Sequence, residues 1–571
     1  MVNLNPVPAI TDQESSEAKE SHEQRFGTDT KTAAANEFEE VKKSDKLPHE
    51  VGNTTNTALA PEFVEVKKGN EEQFEADYAA ESTKKPLPNF LFLIADDMRP
   101  EIGAYKDTPW INSQMKTPNL DKLASKSLLF KKAYCQQSWC NPSRASFLTS
   151  RRPETTMVHN NSVFVRQNIP NVVTMPQYFK QAGYHTLGMG KVFHLLNTVG
   201  DSDDDYSWSE PTLRVGSQDF FDESSKLFHP VGDDERNGRP LLDEFVTMHA
   251  KKALYRVADK ALSGEQPFFM AVGMKKPHLP FVFPESFLKF YPKNSISQPI
   301  NPYVPENLPR VAWAPSNEVS GRAKYAPPQG WGFNHTFSEE TIIELRRGYY
   351  SSVTYIDSLL GEILQELEDL GLSNNTIVSF IGDHGYHLGE QSIIGKNTNF
   401  EVANNSPMMI SVPGETDNGR FTEKLVEFVD LFPTLVELAG FNPLPICPRH
   451  GGSKGISLCT EGSSLVPLIY DKQTNWKERV FFQYPKYLGA GEEFCMGYSM
   501  RTAKYRYTEW VSYNYAKEVG PDWDSPCAVE LYDHDIDPNE MVNIADEENM
   551  EQIRMDLSTK LKDGWHAALP S

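Results

Sequence analysis

Apolar residues enter this chain in blocks, and the first block comes late. Residues 1 to about 86 are rich in Glu, Lys, Thr, Asn and Ala and poor in aromatics. Such a stretch buries too little surface to offset the entropy of ordering it, so it reads as a disordered acidic segment. Pro88-Asn89-Phe90-Leu91-Phe92-Leu93-Ile94-Ala95 then forms a continuous apolar run, the pattern of a strand covered on both faces. Thr376-Ile377-Val378-Ser379-Phe380-Ile381-Gly382 repeats it, and Phe268 to Gly273 is a third buried strand. Between these runs the apolar period changes to that of helices. The spacing predicts one over Asn119 to Phe130, one over Met175 to Ala182, a long one within Ser338 to Leu370, and one over Phe428 to Leu438 stopped by Gly440. His185 to His194 reads as a short strand running into a loop. Strands and helices in this order predict an α/β fold.

The intervening stretches carry less pattern. Residues 200 to 240 are acidic and irregular, the look of a surface excursion, and a proline-rich stretch up to about Gly332 reads as long loops near a site. Residues 441 to 465 look like the connection to a second unit. From Arg479 the pattern is short strands and turns, including Gly497 to Val511, closed by a helix from about Met550. The expected organisation is therefore a disordered segment over 1–86, a catalytic domain over 87–445 and a smaller α+β subdomain over 446–571 that completes the substrate pocket.

Charge and composition narrow the function classes. The 571 residues carry a net charge of −23 and a sequence pI near 5.1, which argues against a nucleic-acid binder. No run of eighteen apolar residues exists to span a bilayer. Met1 to Ile10 shows neither the basic start nor the apolar core of a signal peptide. Two cysteine pairs, Cys447 with Cys459 and Cys495 with Cys527, are candidate disulfides. Acceptor patterns for N-glycans occur at Asn53, Asn160, Asn334, Asn374 and Asn404. The cysteine pairs and acceptor patterns favour the secretory pathway, lysosome-like or extracellular, in conflict with the character of Met1 to Ile10.

The candidate chemistry sits where apolar strands end. Asp96 and Asp97 follow the first run, and Asp383 with His384 follows Gly382. Ligands of open α/β sheets bind at that edge, and oxygen-rich clusters suit a hard divalent cation such as Ca²⁺ or Mg²⁺. Arg144, Lys191, His194, His278 and Lys396 form a cationic set able to surround a tetrahedral anion with charge-assisted donors. Between the two acidic ends lies Cys140-Asn141-Pro142-Ser143-Arg144, followed by Leu148-Thr149-Ser150-Arg151. Pro142 suits the first turn of a helix, which puts residue 140 at its positive end. Taken alone, Cys140 reads equally as a buried thiol or as a partner for Cys135.

Cys-x-Pro-Ser-Arg followed by Leu-Thr-Ser-Arg resembles the pattern of the formylglycine sulfatases. Asn89 to Pro100, Gly190-Lys191-Val192-Phe193-His194, Lys276-Pro277-His278-Leu279-Pro280-Phe281, Asp383 to Glu390 and Met496 to Thr502 are similar to segments of the iduronate-2-sulfatase branch. The resemblance runs from about residue 88 to 550. It implies an alkaline-phosphatase-like mixed sheet sandwiched by helices, and a Cys140 oxidised to formylglycine by a formylglycine-generating enzyme. It also implies one Ca²⁺ held by Asp96, Asp97, Asp383, His384 and residue 140. Sulfate contacts would come from Lys191, His194, His278 and Lys396, with Arg144 steadying the modified residue. On the implied mechanism a hydroxyl of the hydrated aldehyde attacks sulfur, His278 with Lys396 protonates the leaving oxygen, and His194 deprotonates the second hydroxyl. The implied substrate is a sulfated carbohydrate, a 2-O-sulfated uronate above all. Tyr386 is a further substrate contact, standing where a tryptophan is usual, and Arg501 and Lys504 are candidates for the uronate carboxylate. The competing expectations are a phosphate or phosphonate ester hydrolase of the same superfamily and an inactive glycan-binding relative.

Overall fold

Four of the seven strands of the central sheet run parallel side by side and end at one edge. In sheet order the strands are β11 (Arg420–Glu427), β2 (Leu128–Tyr134), β10 (Met408–Ser411), β7 (Thr376–Gly382), β1 (Asn89–Asp96), β5 (Phe268–Pro277) and β3 (His185–Gly190). β10 is antiparallel to both its neighbours and every other pairing is parallel, so the sheet is mixed. Two short pairs lie apart from it, β4 (Phe228–Val231) with β6 (Phe281–Pro284) and β8 (His387–Leu388) with β9 (Ile394–Gly395). This computed structural model describes residues 86–570 except 109–113, 195–201, 214–225, 315, 317, 321, 334, 450–451, 472–474, 488–493, 514–520 and 525. The expected disordered segment over 1–86 lies outside the described residues but for residue 86, and so do Asn53 and Asn334.

Strand alternation explains the layers. Leu91, Leu93 and Ala95 of β1 point to the cluster containing helices α4 (Leu242–Ser263) and α5 (Glu339–Asp369), with α1 (Pro118–Ala124) beside them. Phe90, Phe92 and Ile94 point the other way, to α2 (Cys140–Thr149), α3 (Met175–Gln181) and α6 (Leu431–Leu438). A strand buried on both faces reads as an unbroken apolar run, which is how β1, β5 and β7 appear in sequence.

The helix expected over Asn119 to Phe130 is a correction. It stops at Ala124, and Leu128-Leu129-Phe130 opens β2. Three consecutive apolar residues cannot share one helix face. In the strand, Leu128 and Phe130 join one cluster and Leu129 the other. The acidic stretch after residue 200 is more than a surface excursion where it is described. Trp208 is buried, its indole donates to the Ser202 carbonyl at 2.8 Å, and Asp203 pairs with Arg166. Farther on, β4 pairs with β6.

The C-terminal sheet is an antiparallel meander of β12 (Arg479–Tyr487), β13 (Phe494–Thr502), β14 (Tyr505–Tyr513) and β15 (Pro526–Asp533). One face packs on α7 (Glu551–Asp563) through Met500, Tyr507, Leu531, Leu557 and Leu561. The other face meets Phe400 and Val402 through Trp510 and Tyr532. Both cysteine pairs are bonded, Cys447–Cys459 and Cys495–Cys527. Asn404 is fully buried and its amide donates to the Thr398 and Phe400 carbonyls, so the folded chain cannot take a glycan there; Asn374 is exposed. No described helix is long and apolar enough to cross a membrane.

Candidate active site

The parallel strands β7, β1, β5 and β3 deliver their C-terminal residues to one place. β1 ends in Asp96 and Asp97, β7 leads into Asp383 and His384, β5 into His278, and β3 into Lys191. Asp97 holds a left-handed backbone, φ 63°, a sparsely populated conformation for a non-glycine residue. Its amide donates to Asp383 Oδ1 at 2.9 Å, and the His384 amide donates to the same oxygen at 3.0 Å. These bonds lock the two acidic turns together.

α2 brings Cys140 to them. Trp139 is extended, at φ −150° and ψ 141°, and the helix begins at Cys140. The Cys140 thiol lies 3.4 Å from Asp96 Oδ1 and 3.6 Å from the Lys396 ammonium. One turn on, the Ser143 hydroxyl donates to the Asp383 carbonyl at 2.5 Å. Arg144 Nε donates to Asp383 Oδ2 at 3.0 Å, Nη2 to Asp96 Oδ1 at 3.4 Å, and Nη1 to the Val192 carbonyl at 3.0 Å. Ser143 and Arg144 thus tie the helix start to both acidic turns, a physical reason for their places after the cysteine.

Burial and charge set the protonation. Burial raises the Asp96 carboxyl, but Lys191, His278, Arg144 and Lys396 overcome it and hold Asp96 well below the usual carboxylate range. Burial pushes Asp97 well up, Lys396 opposing and Asp96 adding to the rise. Burial and the Asp96 charge push Asp383 up to about 7. Burial and the same charge push the Cys140 thiol up, so an unmodified cysteine here is a poor thiolate nucleophile. The Lys191 ammonium sits on Asp96, and that of Lys396 lies 2.5 Å from Asp97 Oδ1 and 3.3 Å from Glu318 Oε1. Burial opposes their charges and the carboxylates overcome it, so both lysines stay protonated. Burial, Lys191 and Arg144 bring His194 down to about 3, leaving a neutral ring whose buried Nδ1 has no hydrogen-bond partner. Burial and Lys396 likewise keep His278 and His384 neutral.

The residues fit a hard divalent cation. Ligand atoms of Asp96, Cys140, Asp383 and His384 lie within 4.8 Å of one another, as do those of Asp96, Asp97, Cys140 and His278. Asp97 Oδ2 and His384 Nε2 are buried without hydrogen-bond partners. Orphaned buried acceptors beside carboxylates whose pKa is raised mark a place short of positive charge.

The structure brings together Asp96, Asp97, Cys140, Arg144, Lys191, His278, Asp383, His384 and Lys396 through the contacts above. His194 joins them, its ring feeling Lys191, Arg144 and Asp96. Two expected substrate contacts make bonds within the fold. Tyr386 is buried and stacked on Tyr349 at 5.8 Å; its ring lies 6.0 Å from the Lys396 ammonium and its hydroxyl donates to Glu318 Oε2 at 2.7 Å, so it adjoins the site beside Lys396. Arg501 is buried, with Nε 3.1 Å from Glu401 Oε2 and Nη2 2.8 Å from His534 Nδ1; its guanidinium is spent on the fold. Lys504 pairs with Asp533 and Asp535.

Sequence reasoning missed Glu318 and Tyr349. Glu318 lies in the proline-rich stretch, where no periodicity points to it. The Tyr349 hydroxyl donates to the Asp97 carbonyl at 2.6 Å and accepts from the Arg99 amide at 2.9 Å. A tyrosine on the apolar face of the long helix α5 was the available signal. Around it, Arg99 and Arg346 share Glu390 at 3.0 and 2.9 Å, bracing the β1 and β7 turns against α5.

A family model described as Sulfatase matches residues 88–441, and one described as N-sulphoglucosamine sulphohydrolase, C-terminal, matches residues 389–566. The chain is 36% identical over 517 residues to the iduronate 2-sulfatase of Mus musculus, covering 80% of this chain and 90% of that protein. It is 35% identical over 518 residues to the iduronate 2-sulfatase of Homo sapiens, covering 80% and 91%. Among solved structures, one determined with D-glucosamine-2-N,6-O-disulfate as its substrate aligns with a TM-score of 0.62 at 21% identity, covering 84% of this chain and 99% of that one. The phosphonate monoester hydrolase of Silicibacter pomeroyi aligns with a TM-score of 0.60 at 20% identity, covering 84% and 96%. These structures share the alkaline-phosphatase-like fold.

Proposed function

This chain belongs to the sulfatase family, whose reaction is sulfate ester hydrolysis, and on that premise we propose that its substrate is a 2-O-sulfated uronate within a sulfated carbohydrate. The observation that carries the reading is Cys140 at the start of α2, within hydrogen-bond reach of Asp96 and beside Lys396. The names of the two mammalian relatives support the uronate.

Oxidised to formylglycine by a modifying enzyme, residue 140 would supply a hydrated aldehyde, one hydroxyl to attack sulfur and one to expel the sulfate. Asp96, Asp97, Asp383, His384 and residue 140 would hold a divalent cation, Ca²⁺ by the hardness of the oxygen set, supplying positive charge beside the sulfate. The chain's own groups do the rest. The protonated Lys191 and Lys396 give charged donors for sulfate oxygens, fixed before substrate arrives. Neutral His194 is free at Nδ1 to accept a proton. His278 keeps Nδ1 on the Leu279 carbonyl at 2.5 Å, leaving Nε2 facing Asp97 at 3.9 Å. Neutral in this geometry, it gains its proton as negative charge arrives, whereas Lys396 is charged already and is the donor in place for the leaving oxygen. Arg144 orients the carboxylates, and burial excludes water. Two disulfides suit an oxidising secretory compartment.

The test is peptide mass spectrometry over residue 140 in protein made with a formylglycine-generating enzyme, with turnover of matched sulfate and phosphate esters of one alcohol. We expect the aldehyde mass, preference for the sulfate ester, and no turnover by a folded Cys140→Ala variant. An unmodified thiol in fully active protein would refute the nucleophile, and preference for the phosphate ester would refute the reaction.

A further inference from the structure

We infer that Lys276 is a positioning residue for the sulfatase reaction: its ammonium pins the short loop 278–280 and so fixes the orientation in which the His278 ring faces Asp97. This rests on the reading above that places His278 beside the sulfate.

The argument starts from a break in the β1–β5 ladder. Ala95 pairs with Met274, but Asp96 pairs with Pro277, so Lys275 and Lys276 are extra residues in β5. A bulge of this kind takes amides out of the ladder and re-aims the side chains that follow. Asp243, buried in the first turn of α4, accepts from both amides, Lys275 at 2.7 Å and Lys276 at 3.0 Å. The bulge is thereby fastened to a helix, and His278 leaves the strand next to Pro277, the partner of Asp96.

The Lys276 side chain then folds onto the loop that follows it. It is buried, and its ammonium donates to the His278 carbonyl at 2.6 Å and to the Pro280 carbonyl at 2.5 Å. The carbonyl between those two, of Leu279, lies 2.5 Å from His278 Nδ1. A carbonyl has no proton to give, so Nδ1 donates. The ring is neutral, so its one proton sits on Nδ1 and Nε2 is an acceptor, turned toward Asp97 Oδ2 at 3.9 Å. The His278 side chain is 26% exposed, so packing alone does not hold the ring, and the Leu279 carbonyl decides where it points. Lys276 holds the carbonyls on either side of that one.

The residue type supports this role. Burial draws the Lys276 pKa down to about 7, with Lys275 adding to the fall and Asp243, Asp96 and Asp97 opposing. A methionine would fill the space without desolvating a charge. What a methionine lacks is donors for two carbonyls of one loop, and each carbonyl left without a partner frees the loop that carries His278.

The experiment measures hydrolysis of 4-methylumbelliferyl 2-sulfo-iduronide by protein matured with formylglycine, as a double-mutant cycle. Lys276→Met should lower kcat about 30-fold with KM within about twofold, as expected when a reacting group is misplaced rather than removed. In a His278→Ala background the same change should alter kcat by less than about threefold, because no ring remains to be positioned. Lys276→Gln, which keeps a shorter donor, should fall between wild type and Lys276→Met, and it carries the test if the methionine variant does not fold. An equal loss with and without His278 would overturn the positioning role, and so would an unchanged kcat in the folded variant; either result leaves the reading of His278 standing. His278→Ala at wild-type kcat would remove His278 from the reaction, and Lys276 with it. Absence of hydrolysis by the wild type would refute the uronate reading on which the assay rests, and the inference with it.

Discussion

Replacing Glu540 by glutamine tests whether the C-terminal sheet holds Lys396 in place. Glu540 Oε1 lies 2.5 Å from Arg506 Nε and 3.1 Å from His534 Nε2, and Oε2 accepts from the Glu401 amide at 2.8 Å. Glu401 in turn pairs with Arg501 and accepts from Tyr134 at 2.7 Å, five residues after Lys396. Burial raises the Glu540 carboxyl, but Arg506 and the His534 hydrogen bond outweigh it and bring it from 4.5 to about 2. At about 1.4 kcal/mol per pKa unit this amounts to roughly 3 kcal/mol of stability. Breaking one partner of a buried pair costs a similar ~3–5 kcal/mol, because Arg506 stays buried between Phe400 and Tyr532. The sign follows from the depressed pKa: the contribution is complete above the unfolded value of 4.5 and is lost as pH falls through about 2. Urea unfolding of wild type and Glu540→Gln should differ by about 3 kcal/mol at pH 7, with the gap closing below about pH 4.5. Thermal midpoints will show less, since a unit this large loses only about 1 °C per kcal/mol. A gap under about 0.5 kcal/mol at neutral pH, or one that persists unchanged into acid, would refute the reasoning.

Two further substitutions separate support from contact. Arg501→Met should cost stability, about 3 kcal/mol by urea unfolding, and leave KM for the sulfated uronide unchanged, because its guanidinium is committed to Glu401 and His534. A tenfold rise in KM at full stability would return Arg501 to the substrate. Glu318→Gln should lower kcat about tenfold with stability within about 1 kcal/mol, because it removes one of the two carboxylates that hold the Lys396 ammonium; an unchanged kcat would show that Asp97 alone positions that lysine.

The candidate active site was legible because its residues sit at ends of patterned elements. Asp96, Asp97, Asp383 and His384 follow apolar runs that alternation and burial make unmistakable as central strands, and parallel strands of one sheet end together. The residues after Cys140 were legible because each has a job within one turn of helix, Ser143 on the Asp383 carbonyl and Arg144 on two carboxylates. The misreadings have a different origin. The Asn119 to Phe130 segment satisfies helical spacing through Leu120 and Leu123, and only the pairing of β2 with β10 and β11 decides that Leu128 onward is strand. Arg501 has a residue type that suits a ligand, but its partner Glu401 lies 100 residues away in sequence, and no local pattern announces that this partner claims it first.

The candidate site is built from strand and helix ends whose bonds to one another leave little freedom: the Asp97 amide on the Asp383 carboxylate, the Asp383 amide on the Ala95 carbonyl and the Lys191 amide on the Gly273 carbonyl. The proline-rich loop reaches the site through Glu318, whose carboxylate holds the Lys396 ammonium and the Tyr386 hydroxyl. A change at Glu318 removes a partner of Lys396 while the bonds of Arg144 to Asp96 and Asp383 stay in place. Ser143 and Arg144, by contrast, bind the acidic turns themselves, so substitutions at either should lower turnover of every sulfate ester alike.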